Sequence, residues 1–164
     1  MTTELLVPFY AGTAVSTAVT GGVFLAFSDF LMRSLKAAHP QSGVEAMQMI
    51  NRKVYKSIFL TSFLGIGIVS AGTIALLVTE MISAGATQLS AAGMVYLAGV
   101  FAVTVVFNVP MNKKLDKMNL IAPETHEYWS YYASRWTFWN HVRSAACILS
   151  AILFLQGAFS IAAA

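Results

Sequence analysis

The segment from Trp136 to Arg143 reads Trp-Thr-Phe-Trp-Asn-His-Val-Arg and opens the last hydrophobic stretch of the chain. Trp136, Asn140 and Arg143 follow one helical stripe, while His141 lies about 100° around the helix from Asn140. A central Arg costs about 2.5–3.5 kcal/mol on bilayer insertion scales, so polar residues kept in such a segment usually serve a function. The segment therefore indicates a site that binds a polar group of a ligand or transfers a proton.

A second set of polar residues ends the third hydrophobic stretch, which reads Asn-Val-Pro-Met-Asn from Asn108 to Asn112. Pro110 lacks an N–H and displaces the carbonyl four residues earlier, so the helix is expected to kink or loosen there. Asn108 and Asn112 share a helical face. Their amides could satisfy the freed carbonyls or bind a ligand, and Asn51, before the second stretch, is a third candidate amide.

Each of these residues also has a structural explanation. Trp136 and Trp139 fit an interfacial aromatic belt, and Arg143 could extend to the lipid headgroups. His141 could be a hydrogen-bonded structural histidine. Asp29 could pair with Arg33 one turn later or with Arg143 across the bundle. The clustering of the amides with His141 and Arg143 is what favours a functional site.

The composition predicts the elements that position these residues. The chain has 164 residues, of which 57% are hydrophobic and only 10% are charged, whereas a soluble domain has about 25% charged residues. Four stretches have the roughly 20 apolar residues of a helical span. The sequence therefore predicts an all-α fold, an integral membrane four-helix up-down bundle forming a single domain over residues 1–164. The approximate spans are Leu5–Leu31, Ser57–Val78, Ala91–Val109 and Ser144–Ala163.

The basic residues predict how the bundle is oriented. All ten lie between spans one and two, or between spans three and four and at the border of span four. The positive-inside rule then places both long loops in the cytoplasm and both termini outside, since the Glu80–Ser90 connection has no Lys or Arg. Helical periodicity in both loops predicts that helices two and four extend on the cytoplasmic side. The pI of 9.1 reflects these flanks, so nucleic acid is not an expected partner.

Several chemical classes are disfavoured. Cys147 is the only cysteine, so the chain has no internal disulfide and no redox pair. His39, His126 and His141 do not have the spacing of a metal site. There is no Gly-rich phosphate loop, and no acidic residue lies at the middle of a span, where a proton-coupled exporter would need one.

Three segments resemble the anthrone-oxygenase-like family of small four-helix membrane proteins. They are Gly43–Asn51, Asn108–Asn112 and Trp136–Arg143, and the resemblance covers nearly the whole chain, in the same order and at similar spacing. Bacterial members of that family are mostly of unknown function, whereas some fungal members oxidise anthrones to anthraquinones. The resemblance implies a membrane-bound oxygenase or oxidase of an apolar, electron-rich aromatic molecule of the anthrone or quinol kind, in a bacterial inner membrane.

The resemblance also implies roles for the polar residues. His141 would remove a proton and Arg143 would hold the developing oxyanion, and both are the predicted catalytic residues. The predicted substrate-binding residues are Asn51, Asn108, Asn112, Trp136 and Asn140. The resulting carbanion could react with dioxygen without a cofactor, and a metal such as copper remains an alternative.

Two other functions remain open at this stage. One is a non-catalytic module that binds or transports a lipophilic small molecule or a metal, and the other is a structural membrane partner. The expected partners are membrane lipid and an apolar small-molecule substrate, and a homo-oligomer is left open. An enzyme predicts an enclosed cavity touching His141, Arg143 and Asn112, whereas a scaffold predicts that these residues bind one another or the headgroups.

Overall fold

A computed structural model describes residues 3–79 and 83–164 of the chain. The described residues form helices and turns, with no strand among them. We number the helices α1 to α5, and their bounds are Thr3–Ala37, Pro40–Lys53, Ile58–Val78, Ala86–Asp116 and Pro123–Ala162. All except α2 are long and apolar enough to cross a membrane. The predicted all-α fold with four spans is confirmed, and the chain is an integral membrane protein.

Local sequence signals explain where the helices begin. Pro40 and Pro123 stand in the first turns of α2 and α5, where the missing N–H costs no hydrogen bond. Ser57 caps α3, because its hydroxyl accepts a hydrogen bond from the Leu60 N–H at 3.2 Å. Gly85 precedes α4 with φ of +71°, and a Cβ there would lie 2.8 Å from the carbonyl oxygen of Gly157. The turn into α4 therefore needs glycine.

The four long helices form a ring in which α1 packs against α3 and α5, and α4 packs against the same two helices. One apolar cluster joins the first turns of α1 and α4 to the last turns of α5, with the end of α3 packed against it. Tyr10 of α1 is central to this cluster, stacking on Phe154 at 6.1 Å and hydrogen bonding to Thr73 at 3.2 Å. The up-down order of the helices stays a prediction.

The opposite end of the bundle is built around α2. Gln48 donates hydrogen bonds to the carbonyls of Leu115 and Met118, at 2.8 and 3.0 Å. Arg52 forms an exposed ion pair with Asp116 at 2.6 Å. Gly43 lies against Trp129, with no room for a Cβ beside the Leu35 carbonyl. These contacts hold α2 across the ends of α1, α4 and α5.

The structure differs from the expected extension of the second helix. A 3-10 turn over Val54–Lys56 leads to Ser57, whose ψ of 150° is extended, so α2 and α3 are separate helices. In contrast, α5 is continuous for 40 residues, about twice the length that a span requires. The side of the membrane on which these ends lie remains a prediction. Residues 80–82 of the Glu80–Ser90 connection lie outside the described residues.

Two long helices contain π-helical turns near the α2 end. In α1 the Met32 N–H bonds to the Phe27 carbonyl, and in α4 the Val109 N–H bonds to the Thr104 carbonyl, each five residues earlier. The turn in α4 directly precedes Pro110, whose missing N–H interrupts the normal hydrogen-bond ladder. Such turns are common at functional sites, and these two lie beside the largest set of buried polar residues.

Candidate functional site

A cavity of about 400 Å³ lies between the five helices at the α2 end of the bundle. Four of the seven predicted site residues line it: Asn51, Asn112, Trp136 and Arg143. The aromatic part of the lining consists of Phe24, Phe27, Tyr55, Phe59, Phe63 and Trp136. Two further grooves run along α3, but they are more open and none of the predicted site residues lines them. The cavity that the predicted residues line is therefore the candidate site.

Arg143 is the buried cation of this cavity, with only 5% of its surface exposed. Its guanidinium donates hydrogen bonds to Thr104 Oγ1 at 3.2 Å and to Asn140 Oδ1 at 2.5 Å. The guanidinium carbon also lies 4.2 Å from the centre of the Phe24 ring and 5.3 Å from that of Trp136. All four partners are neutral, so none of them compensates the positive charge of Arg143 beside the cavity.

Asn140 is fully buried and fixes one side of Arg143. Its Nδ2 donates to the Phe24 carbonyl and to Ser28 Oγ, both at 2.6 Å. With both donors directed at α1, the amide oxygen must face Arg143. Asn140 therefore positions the guanidinium and does not line the cavity, although it was predicted to bind substrate.

Asn112 is held in an equally defined orientation. Its Oδ1 accepts hydrogen bonds from the Tyr132 hydroxyl at 2.8 Å and from Trp136 Nε1 at 2.9 Å. Because the oxygen is occupied twice, the Nδ2 donors remain for a ligand in the cavity. Asn51 also lines the cavity, and its buried Nδ2 has no hydrogen-bond partner.

Asn108 links two helices. It is fully buried, and its Nδ2 donates to the carbonyl of Trp136 at 3.3 Å, which ties α4 to α5. It does not line the cavity. The structure thus places Asn108 as a tie between helices, beside the π-helical turn that precedes Pro110, and its contact with a substrate stays a prediction.

His141 is exposed and does not line the cavity. Asn140 occupies the inward position, and the next residue on a helix points about 100° away. The structure therefore does not bring His141 together with Arg143 and Asn112 at the cavity, and its role as a base stays a prediction. Asp29 pairs with Arg33 at 2.7 Å rather than with Arg143.

Three contributing residues were not among the predicted ones. Phe24 stacks on Arg143, Ser28 accepts from Asn140, and Thr104 accepts from Arg143. Thr104 and Ser28 resemble ordinary small polar residues of a membrane helix, so spacing alone gave no signal for them. A search for the helix faces opposite Arg143 could have found Phe24 as a cation–π partner.

Metal ligands are not grouped in the described part of the chain, where no cluster of three or more His, Cys, Asp or Glu side chains could hold an ion. The polar atoms that the cavity offers are mainly N–H donors of Arg143, Asn112 and Asn51. Such groups bind oxygen atoms that carry negative charge or lone pairs.

A model of the anthrone oxygenase family matches residues 47–153, more than half of the chain. The chain belongs to the anthrone oxygenase family. The matched range includes all of the predicted site residues, from Asn51 to Arg143, together with Thr104. Phe24 and Ser28 of α1 lie before it. No curated protein and no solved structure gives a significant match.

Proposed function

We propose that this family member is a membrane-bound oxygenase or oxidase of an apolar, electron-rich aromatic molecule that binds in the cavity beside Arg143. The observation that carries the proposal is a buried guanidinium with neutral partners, lining an aromatic cavity. Small-molecule sites typically measure about 300–1,000 Å³ and combine apolar walls with a few polar groups. The cavity fits this description.

The proposed chemistry uses Arg143 and Asn112 to hold an oxygen atom that gains negative charge. When the ring methylene group of an anthrone gives a proton to water, the electron pair spreads through the flanking aromatic rings onto the carbonyl oxygen opposite, and an enolate forms. N–H donors held in place before the reaction stabilise such a charge without rearranging. The electron-rich carbon can then react with dioxygen.

The overall reaction balances for an anthrone-like substrate. A ring methylene group loses two hydrogen atoms and gains one oxygen atom, becoming a carbonyl. The second atom of dioxygen leaves as water with those two hydrogens. The substrate is oxidised and dioxygen is the oxidant, so no other co-reactant is needed.

Oxygen uptake by the purified protein with anthrone, together with the absorbance of the anthraquinone formed, tests the proposal. Removing one oxyanion donor typically costs about 10²–10³ in rate, so Arg143→Met should lose about that factor. Arg33→Met is the matched control, because Arg33 is exposed and pairs only with α1. Uptake no faster than the uncatalysed oxidation of anthrone would overturn the proposal.

A non-catalytic binding or transport module is the second candidate. It is favoured by the lining of the cavity, which among the described residues contains no Asp, Glu or His to act as a base. Such a module would bind the aromatic molecule and release it unchanged. Ligand binding without any oxidised product under air would support this function over the oxygenase.

We also propose that the protein lies in a bacterial inner membrane with both termini outside the cytoplasm. The support is the position of the basic residues, which all lie between Arg33 and Lys56 or between Lys113 and Arg143. The apolar helices are consistent with contact to membrane lipid.

A further inference from the structure

We propose that the cavity binds its ligand as an oxyanion, selecting the ionised form of a flat aromatic molecule over the neutral form. This rests on the proposed function for the aromatic body of the ligand. It goes beyond that function because the charge is present when the ligand binds, before any reaction with dioxygen.

The first argument is the unpaired charge of Arg143. The described residues form two ion pairs, Arg33 with Asp29 and Arg52 with Asp116, and all four partners are exposed. No carboxylate among the described residues pairs with Arg143. A buried cation without a counter-ion is unfavourable, and an anionic ligand in the cavity would supply the missing charge.

The second argument is the unused donor on that guanidinium. Arg143 has five N–H groups, of which Thr104 and Asn140 accept two. Its Nε is buried and has no hydrogen-bond partner. A buried donor left unpaired is costly, so the free form of the site is poised to accept an oxygen atom.

The third argument is that the two amides and the lysine that line the cavity also offer donors. Asn112 has both acceptor positions of Oδ1 filled by Tyr132 and Trp136, which leaves its Nδ2 free. Asn51 contributes a second buried amide nitrogen, which lies beside the Tyr132 hydroxyl and makes no hydrogen bond of normal length. Lys53, which is exposed, adds a positive charge to the lining. The polar side of the cavity therefore favours an acceptor with negative charge.

The ionisation needs no base from the protein. The hydroxyl or enol of the ligand gives its proton to water, and the resulting oxygen binds to Arg143 and Asn112. Because the ionised form binds more tightly, the pKa of the bound ligand falls below that of the free ligand. At pH values below the pKa of the free ligand, affinity should rise about tenfold for each pH unit.

Other titratable groups near Arg143 are few. Tyr132 and Cys147 lie on α5 itself, Lys53 lines the cavity from α2, and Tyr55 lines it from the turn that follows α2. The cavity residues of α1, α3 and α4 are uncharged. A pH effect that disappears in Arg143→Met therefore belongs to the ligand and Arg143.

The experiment uses a hydroxyanthraquinone, a coloured probe that is already oxidised, and its methyl ether. The full-length protein is placed in bilayer discs of phosphatidylcholine, and the absorption spectrum is titrated from about pH 5 to 9. We expect the spectrum of the ionised probe at pH values where the free probe is neutral. We also expect the methyl ether to bind at least about tenfold more weakly. Equal binding of the ether would overturn the proposal.

Two variants separate the site from general folding. Asn112→Asp keeps the oxygen that accepts from Tyr132 and Trp136 but replaces the free donor with a negatively charged oxygen. It should fold and lose the spectral shift, as should Arg143→Met, whereas Arg33→Met should keep it. Retention of the shift in Asn112→Asp would overturn the proposal even if Arg143→Met failed to fold.

Competition experiments show whether the anion that binds must carry an aromatic ring system. Oleate and discs with phosphatidylglycerol offer a carboxylate and a phosphate on alkyl chains. The aromatic walls predict that neither displaces the probe at equal concentration, and displacement by either would overturn the assignment to an aromatic ligand. No step of this binding test consumes dioxygen. Selective binding of the ionised probe can therefore be found without oxygen uptake, and oxygen uptake can be found without selective binding.

Discussion

Arg143 donates a hydrogen bond to the side-chain oxygen of Asn140, the residue one turn earlier on the same helix. Asn140 can act only as an acceptor there, because its nitrogen is bound to the Phe24 carbonyl and to Ser28. An amide in this position holds the guanidinium in place without neutralising it. A carboxylate in the same position would also hold the guanidinium, but it would neutralise the positive charge.

Asn140→Asp should therefore weaken the binding of an anionic ligand. Opposite charges about 4 Å apart interact by about 4 kcal/mol at an effective dielectric of 20, so neutralising Arg143 should cost roughly 100-fold or more in affinity for the ionised probe. The neutral methyl ether should be affected far less. Titration of both ligands measures the difference, and equal losses for both would indicate a collapsed cavity instead.

His141→Ala should leave oxygen uptake within about twofold of the parent protein, as for a surface substitution away from any structural feature. The reason is that His141 is exposed and does not line the cavity. Steady-state oxygen consumption with anthrone is the measurement. Complete loss of activity in a folded variant would place the reacting atoms outside this cavity and restore His141 as the base.

The contrast between Asn140 and His141 shows what could be predicted from the sequence. Both were selected because polar residues are rare in a membrane helix. The directions in which their side chains point depend on the rotation of α5 about its own axis. Close packing against α1 sets that rotation. A Cβ on Gly21 would lie only 2.8 Å from the Cβ of Cys147. Such contacts between distant segments leave no local pattern.

The same limit applies to the helices. Length and hydropathy were enough to predict four spans, because backbone groups in lipid must bond within their own helix. The π-helical turn at Phe27–Leu31 was not predicted. No proline lies within this turn. Its N–H groups bond to carbonyls five residues earlier instead of four, and no particular residue type marks that change. Ser28, which binds Asn140, lies in that turn.

Gly85→Ala should destabilise the bundle. Gly85 has φ of +71°, and a Cβ would lie 2.8 Å from the Gly157 carbonyl oxygen, so the left-handed conformation alone should cost about 1–2 kcal/mol. Gly12→Ala is the matched control, since nothing lies within 4 Å of its Cβ position. Thermal unfolding in detergent should show a lower midpoint for the first variant and an equal or higher one for the second.

Reporter fusions at the C-terminus test the proposed orientation. Since the basic residues lie between Arg33 and Lys56 and between Lys113 and Arg143, the positive-inside rule predicts an external C-terminus. A C-terminal alkaline phosphatase should be active and a C-terminal green fluorescent protein should be dark. The opposite pair of results would show that the cavity opens from the other side of the membrane.

Tyr132→Phe tests whether the orientation of Asn112 controls the site. Tyr132 is fully buried, and its hydroxyl donates to Asn112 Oδ1. Without that bond only Trp136 Nε1 holds the oxygen, so the amide can turn and present its oxygen to the cavity for part of the time. One lost hydrogen bond is worth about 0.5–1.5 kcal/mol, which predicts a threefold to tenfold weaker binding of the ionised probe.

The control for this variant is Tyr131→Phe, because Tyr131 is the neighbouring residue and is 55% exposed. It should leave both stability and probe affinity unchanged. If Tyr132→Phe also binds the probe normally while Asn112→Asp does not, the donor on Asn112 matters but Tyr132 does not set its direction. If both variants weaken binding, the chain of bonds from Tyr132 through Asn112 is what directs an N–H group to the ligand, as Asn140 directs the guanidinium on the other side of the cavity.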